Sequence, residues 1–393
     1  MQADPALDRP RHLRSRGNGA QSITFVELFF DLVYVFAVTQ IAHVLIEHLS
    51  FAGVGRAAFL LLVVWWAWIY TTWMVNWFDP ASAPVRVALI GVMGASLVLA
   101  TALPEAFGNH GGLFVLAYVG LQVGRNATAA ALLPRGHILR RTLERITVWS
   151  LASGVLWVAG LLESGDRRLY WWLPALAVEL LAPLVGYATP ALGRSLTGDY
   201  DVEGGHFAER CQGFILIALG ESIVVTGATA ASAGLTDTVV LALVVAFLET
   251  AALWWLYFAE AAEHSRRRIA TSDDAGRLAR DAYTYLHLPI VAGIIAVAVG
   301  DDMLIKHTGH SLSTAGALMV LGGPAIYLLG ESLFRFRMIR SVSGKRIGAV
   351  VLLCALMVLN TRLTALALIA AVTVVVTALA IWEDSPRRRR APA

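Results

Sequence analysis

Residues 57–76 read AAFLLLVVWWAWIYTTWMVN, twenty consecutive positions without a charged side chain. At 1.5 Å of rise per residue a helix of that length covers about 30 Å, the thickness of a bilayer's hydrocarbon core. The pattern recurs. Apolar runs lie at 24–47, 57–76, 86–104, 112–133, 144–162, 169–189, 208–228, 237–260, 282–300, 312–334, 346–360 and 363–382, separated by charged or Gly/Pro breaks. The composition agrees, because 57% hydrophobic and 15% charged residues, with a mean hydropathy of +0.65, leave too little polar surface to clothe soluble domains. The chain reads as an all-α, polytopic transmembrane helical bundle of about 12 spans.

Loop charge tests that count independently. With the N-terminus inside, 26 of the 31 basic residues fall on the cytoplasmic side, and only Arg56, Arg167, Arg168, Lys306 and Arg362 fall outside. Both termini are therefore expected in the cytoplasm of a cell (inner) membrane. Arg9, Arg11, Arg14 and Arg16 precede the first span without a short apolar region and cleavage site, which argues for a retained helix. The expected organisation is a basic tail at 1–22, a six-span half at 23–192, a cytoplasmic linker at 193–206, a second six-span half at 207–383 and a basic tail at 384–393. The halves also echo each other: Phe25-Val-Glu27 matches Phe207-Ala-Glu209, and Tyr118 with Gln122 matches Tyr327 with Glu331. An offset of six spans preserves orientation, so the halves are expected to be parallel repeats.

Several classes fall away. The basic balance follows from topology, so nucleic acid is not expected as a partner. Cys211 and Cys354 stand alone in apolar runs and support neither a disulfide framework nor a zinc site. No Walker loop, dinucleotide fingerprint, Gly-x-Ser-x-Gly elbow or paired-histidine motif is present, and no cofactor is expected. Membrane lipid is the expected surrounding partner, and the Arg387 to Arg390 run is an anchor that also suits anionic lipid.

Ionisable groups at membrane depth mark candidate chemistry, since burial there is costly. Glu27 and Asp31 share a face at the entry of the first span, where two close carboxylates suit a proton or cation site or pair with cytoplasmic arginines. Glu221, Glu249 and Glu179 lie mid-span. His287 follows Tyr283 by one turn and precedes Pro289, where a kink is expected, and a histidine near buried acids suits a proton relay. Glu331 and Arg335 step down the tenth span and are placed to pair, with Gln122, Arg125 and Asn126 as the matching patch in the fourth. Glu209 and Arg210 open the seventh span; Arg210 is roughly 16 Å from Glu221 along the helix, too far to pair with it. Trp73 and Trp77 read as interfacial belt residues. The glycines inside spans, among them Gly91, Gly94, Gly120, Gly124, Gly220, Gly293, Gly322, Gly323 and Gly330, read first as packing positions. Glu221, Glu249 and His287 are metal-ligating residue types, but no Glu-x-x-His lies within one helix, so metal binding stays open.

The segment Phe25-Val-Glu-Leu-Phe-Phe-Asp-Leu-Val-Tyr-Val-Phe-Ala37 resembles the opening signature of the bacterial low-temperature-requirement A family. Glu209-Arg-Cys-Gln-Gly-Phe-Ile-Leu-Ile-Ala-Leu-Gly-Glu-Ser-Ile223 is similar to its central motif, and Trp255 to Phe258, His287 to Gly293 and Gly322 to Gly330 to later segments. The resemblance implies an integral membrane protein linked by name to growth in the cold, with Glu27, Phe30, Asp31, Glu209, Arg210, Glu221 and His287 at signature positions. Ala259 stands where it leads one to expect an acid, and Glu260 follows one position later.

The preferred functional reading is a secondary transporter or permease. Glu27, Asp31, Glu221, Glu249, Tyr283, His287 and Glu331 would form its substrate or ion pathway, and Glu209, Arg210, Arg335, Gln122, Arg125 and Asn126 would act as structural or gating residues. Two other readings stand beside it: an intramembrane enzyme acting on a lipid or other hydrophobic substrate, and a non-catalytic sensor or scaffold. Substrate, coupling ion and oligomeric state are not legible.

Overall fold

A computed structural model describes residues 10–16 and 21–384, apart from the side chains of 260 and 261. Arg9 and the Arg387 to Arg390 run, like the Glu260 side chain, lie outside the described residues. All twelve apolar runs are helical: α1 Phe25–Glu47, α2 Phe51–Trp77, α3 Ala83–Ala102, α4 Gly111–Ala131, α5 Ile138–Ala159, α6 Leu169–Leu181, α7 Gly204–Ala233, α8 Asp237–Leu256, then after short α9 Ala262–Ala270 and α10 Ala275–Leu278, α11 His287–Lys306, α12 Thr314–Ile339, α13 Gly344–Leu356 and α14 Ala365–Glu383. Among the described residues no β-strand forms, and ten helices are long and apolar enough to cross a membrane. The protein is thus a membrane protein of many apolar helices. Two of the twelve runs fall short of that threshold. Gln122, Arg125 and Asn126 dilute the apolar character of α4, and α6 has only 13 residues.

The departures from the expected boundaries have local causes. The run at 169–189 stops being helical at Leu181: Ala182 still has helical dihedrals, but Pro183 after it has no N–H with which to continue the ladder. The chain then turns through Gly186 and Tyr187, both at positive φ. Past Leu256 the eighth span passes through a π-helical turn, Tyr257–Ala261, into α9. A second π-helical turn, Ala279–Tyr285, precedes α11, so Pro289 falls in the first helical turn, where a missing N–H costs least. Helix α11 also runs on through Asp301 and Asp302 to Lys306, beyond the expected end at 300. The tight exterior turn is built as a 3₁₀ segment, Met357–Arg362, followed by Thr364, whose hydroxyl caps α14 at Ala367 N.

The chain forms two compact units that interleave along the sequence. One comprises Met1–Gln40, Leu62–Arg210 and Ala270–Arg280; the other comprises Ile41–Leu61, Cys211–Ile269 and Asp281–Ala393. Tryptophan dominates the first core, where Trp65, Trp66, Trp68, Trp157 and Trp172 are fully buried. Trp73 and Trp77 are buried too, contrary to a belt role: Trp73 meets Tyr200 and Phe207 edge-on at 5.6 and 4.9 Å. In the second unit α11 and α12 run antiparallel and touch through glycines spaced by seven residues, Gly293 and Gly300 on one helix and Gly316, Gly323 and Gly330 on the other. A Cβ added at Gly293 would stand 2.5 Å from Tyr327 N and one at Gly330 2.9 Å from Ile290 N, so these contacts admit no side chain.

Candidate functional site

In the first unit the carboxylates of α1 are met by α7 in matched steps: Glu27 faces His206 and, one turn on, Asp31 faces Arg210. Equal spacing in the same order means that the two helices run parallel here. Thr24-x-x-Glu27 has the sequence of a capping box and forms its glutamate half, in which Glu27 Oε2 reaches back and accepts from Thr24 N and Oγ1 at 2.8 and 2.7 Å, while Glu27 N donates to Thr24 O. Its Oε1 accepts from Arg14 at 2.9 Å and His206 Nε2 at 2.8 Å, while Asn76 donates to His206 Nδ1, which places the imidazole proton on Nε2. Asp31 receives a two-pronged guanidinium from Arg210 at 2.5 and 2.8 Å and the Trp68 indole N–H at 2.9 Å. Arg210 also donates to Glu27 O and lies over the rings of Phe30 and Trp68. Glu209, beside it, is only half-buried.

A second network joins α4, α5 and α6. Glu179 accepts from Ser153 at 2.8 Å, Trp157 at 2.9 Å and Tyr118; Gln122 donates to Tyr118 and accepts from Arg125. Arg125 then reaches Ala67 O and Thr71 Oγ1 on α2. Outside the helices, burial pushes the Tyr200 hydroxyl up to about 12, opposed by nearby Arg280, so the phenol stays neutral.

In the second unit Asp301 of α11 is 1% exposed, and its Oδ2 accepts from Ser222 Oγ of α7 at 2.8 Å. Ser222 Oγ lies 3.0 Å from Thr250 Oγ1 of α8. Glu249, next to Thr250 and also buried, lies within electrostatic reach of Asp301. Among the described residues, no basic side chain makes an ion pair with Asp301 or Glu249. Glu221, buried one residue before Ser222, shares this level of α7. Asp302 differs from its neighbour, since it takes Thr229 Oγ1 at 2.6 Å and Lys306 at 2.7 Å.

His287 sits elsewhere in that unit. Its Nε2 is 2.7 Å from Tyr257 OH, its ring stacks on Tyr283 at 4.9 Å, and Phe334 closes the edge at 4.5 Å. Nδ1 donates to Ala282 O at 3.3 Å, so Nε2 is the acceptor for Tyr257. Both tyrosines belong to the π-helical turns, which often mark functional positions. Glu331 pairs with Arg346, which pairs in turn with Glu383 at 2.7 Å. The ion pair of Glu331 therefore runs to α13, and Arg335 acts on it through its charge.

The model of the bacterial low temperature requirement A protein (LtrA) family matches residues 22–381, nearly the whole chain. The chain belongs to the LtrA family. It is also 35% identical over 373 residues to an uncharacterized protein of Rhizobium meliloti (strain 1021), covering 94% of this chain and 91% of that relative. No solved structure matches significantly.

In this LtrA protein Asp31 thus lies in the first unit with Arg210, while Glu221, Glu249 and His287 lie in the second. Within the second, Glu249 keeps company with Asp301 and His287 with two tyrosines. Sequence reasoning missed Asp301, although the Asp301-Asp302 pair was a signal. It also missed His206 and Arg346, whose partners are distant in sequence, and the Thr24-x-x-Glu27 box, which was legible. Among the described residues no group of three His, Cys, Asp or Glu side chains is disposed to hold a metal ion.

Proposed function

We propose that this LtrA protein is a secondary transporter, coupled to a proton or small cation at Asp301. The observation that carries the reading is the contrast between Asp301 and the buried acids whose partners are cations or several fixed donors, among them Glu331 with Arg346 in the same unit. Glu27, Asp31 and Glu179 have their acceptor sites occupied by cations or several fixed donors, which suits holding helices together. Asp301 has a serine hydroxyl instead, with a threonine hydroxyl behind it and a second buried acid nearby. A buried charge without a countercharge is costly, so such an acid binds a proton or cation readily.

The hydroxyl chain lets this happen without rearrangement. When Asp301 is ionised, Ser222 donates to it and accepts from Thr250; when it is protonated, Asp301 donates to Ser222, which donates to Thr250. Glu249, within electrostatic reach, disfavours a second charge at the site, so one added proton or cation serves both carboxylates. The Tyr257–His287 pair supplies an acid and base of its own, and the reading assigns it no role in ion binding. The basic residues concentrated in one set of loops support both termini in the cytoplasm of the inner membrane, which reporter fusions at each terminus would test.

The reading is tested by reconstituting the protein in liposomes and screening solutes under an imposed proton or sodium gradient. Gradient-dependent flux in the native chain, lost in Asp301→Asn, is the expected result. Gradient-independent chemistry on a lipid, with no flux for any solute, would favour the intramembrane enzyme instead.

A further inference from the structure

Glycines in this protein serve two different ends. Those of α11 and α12 are consumed by backbone contact within the chain, as the short Cβ distances at Gly293 and Gly330 show. On α3 and α4 the opposite holds: a Cβ added at Gly91, Gly120 or Gly124 meets no atom within 4 Å. Glycine is among the least favourable residues inside a helix, and here no contact with the described residues is gained in return. These glycines line an open groove of about 250 Å³ in the first unit, together with Ala95, Thr128 and Arg125.

Arg125 makes the groove more than a strip of small residues. It is 3% exposed, yet its hydrogen-bond partners are all neutral: Ala67 O, Thr71 Oγ1, Gln122 Oε1 and Asn126 Oδ1. Its neighbour over the guanidinium is the Tyr70 ring at 5.3 Å. The carboxylate of Glu179 makes no hydrogen bond to Arg125 and acts on it through its charge alone, with Gln122 and Tyr118 standing between them. Four contacts leave one of the five guanidinium N–H groups, on Nη2, for a further acceptor. A cation held among dipoles at the edge of an apolar groove attracts an anion that carries an apolar body.

We propose that this groove binds an anionic phospholipid, with an acyl chain lying against Gly91, Ala95, Gly120 and Gly124 and the phosphate drawn to Arg125. The ends of α4 set the direction, because Arg125 and Thr128 stand in its last third, toward Ala131, and Gly120 lies further in. The three glycines provide the flat floor that a chain requires, and Arg125 provides the selection for charge. This site is independent of Asp301, which belongs to the other unit.

The test is native mass spectrometry of the full chain in detergent, titrated with phosphatidylglycerol or phosphatidylcholine of identical chains. The native protein is expected to prefer phosphatidylglycerol by roughly tenfold or more, as a charge-assisted hydrogen bond implies. Gly120→Leu with Gly124→Leu fills the groove in open space and is expected to fold with an unchanged melting profile while losing bound lipid of both kinds. Arg125→Gln is expected to retain lipid but lose the preference. Equal binding of the two lipids by the native chain would overturn the proposal, as would undiminished lipid in the leucine variant. Conversion of a dimer to a monomer in the leucine variant, with lipid unchanged, would overturn it in favour of a second copy in the groove.

Discussion

Replacing Arg210 with methionine removes the cation that faces Asp31 and leaves the rest of the first unit in place. Arg210 is fully buried and holds the carboxylate by two contacts at 2.5 and 2.8 Å, so its loss strands Asp31 with the Trp68 indole as its remaining donor. Breaking a buried pair from one side costs about 3–5 kcal/mol, because the surviving charge keeps its desolvation penalty. Glu27 O loses a donor as well. Against a total stability of about 5–15 kcal/mol that loss is large, and a melting shift on the order of 10 °C is expected. Asp31→Leu in the same chain should restore much of it, since an apolar pair of similar volume replaces a buried ion pair at little net cost. The measurement is a double-substitution cycle by thermal melting in one detergent, where residues in contact show coupling of about 0.5–3 kcal/mol. A variant Arg210→Met that melts within a degree of the native chain, or additive effects of the two substitutions, would refute a structural role for the pair.

Other consequences follow from the same geometry. Arg346→Met should prevent stable folding, since Glu331 and Glu383 both lose their cation; expression of monodisperse protein checks this, and Glu331→Gln should be milder. Gly293→Ala should destabilise the α11–α12 pair by about 1–3 kcal/mol or more, because its Cβ meets Tyr327 N at 2.5 Å, whereas Gly120→Ala should be neutral or stabilising in the same melt. Glu179→Leu strands the donors of Tyr118 and Trp157, while Ser153 falls back on Ser150 O, and a loss of about 2 kcal/mol or more is expected by chemical unfolding. Ser222→Ala should weaken ion binding at Asp301 without lowering the melting temperature by more than a few degrees.

Much of the fold was legible because period and length are local properties. Every apolar run became a helix, and the boundaries failed where one residue outweighed the run, as at Pro183. The end of α11 was missed for a different reason. Two adjacent acids look like a border with water, yet Asp302 is satisfied by Thr229 and Lys306, and the helix carries Asp301 along buried. The site was legible only in part. Glu27 and Asp31 stood out as acids, but whether they titrate or hold depends on Arg14, His206 and Arg210, the last two some 179 positions away. No sequence period reveals that pairing. Asp301 shows the converse, an acid whose interest lies in the absence of a basic ion-pair partner among the described residues, which only the packing of α7, α8 and α11 discloses.

The central claim turns on Asp301, and its most direct test is flux in proteoliposomes under an imposed proton or sodium gradient, comparing the native chain with Asp301→Asn at matched incorporation and melting temperature. The account predicts gradient-driven solute flux in the native protein and none in the variant. Equal gradient-driven flux in both, or a native chain in which no gradient drives any solute, would contradict it.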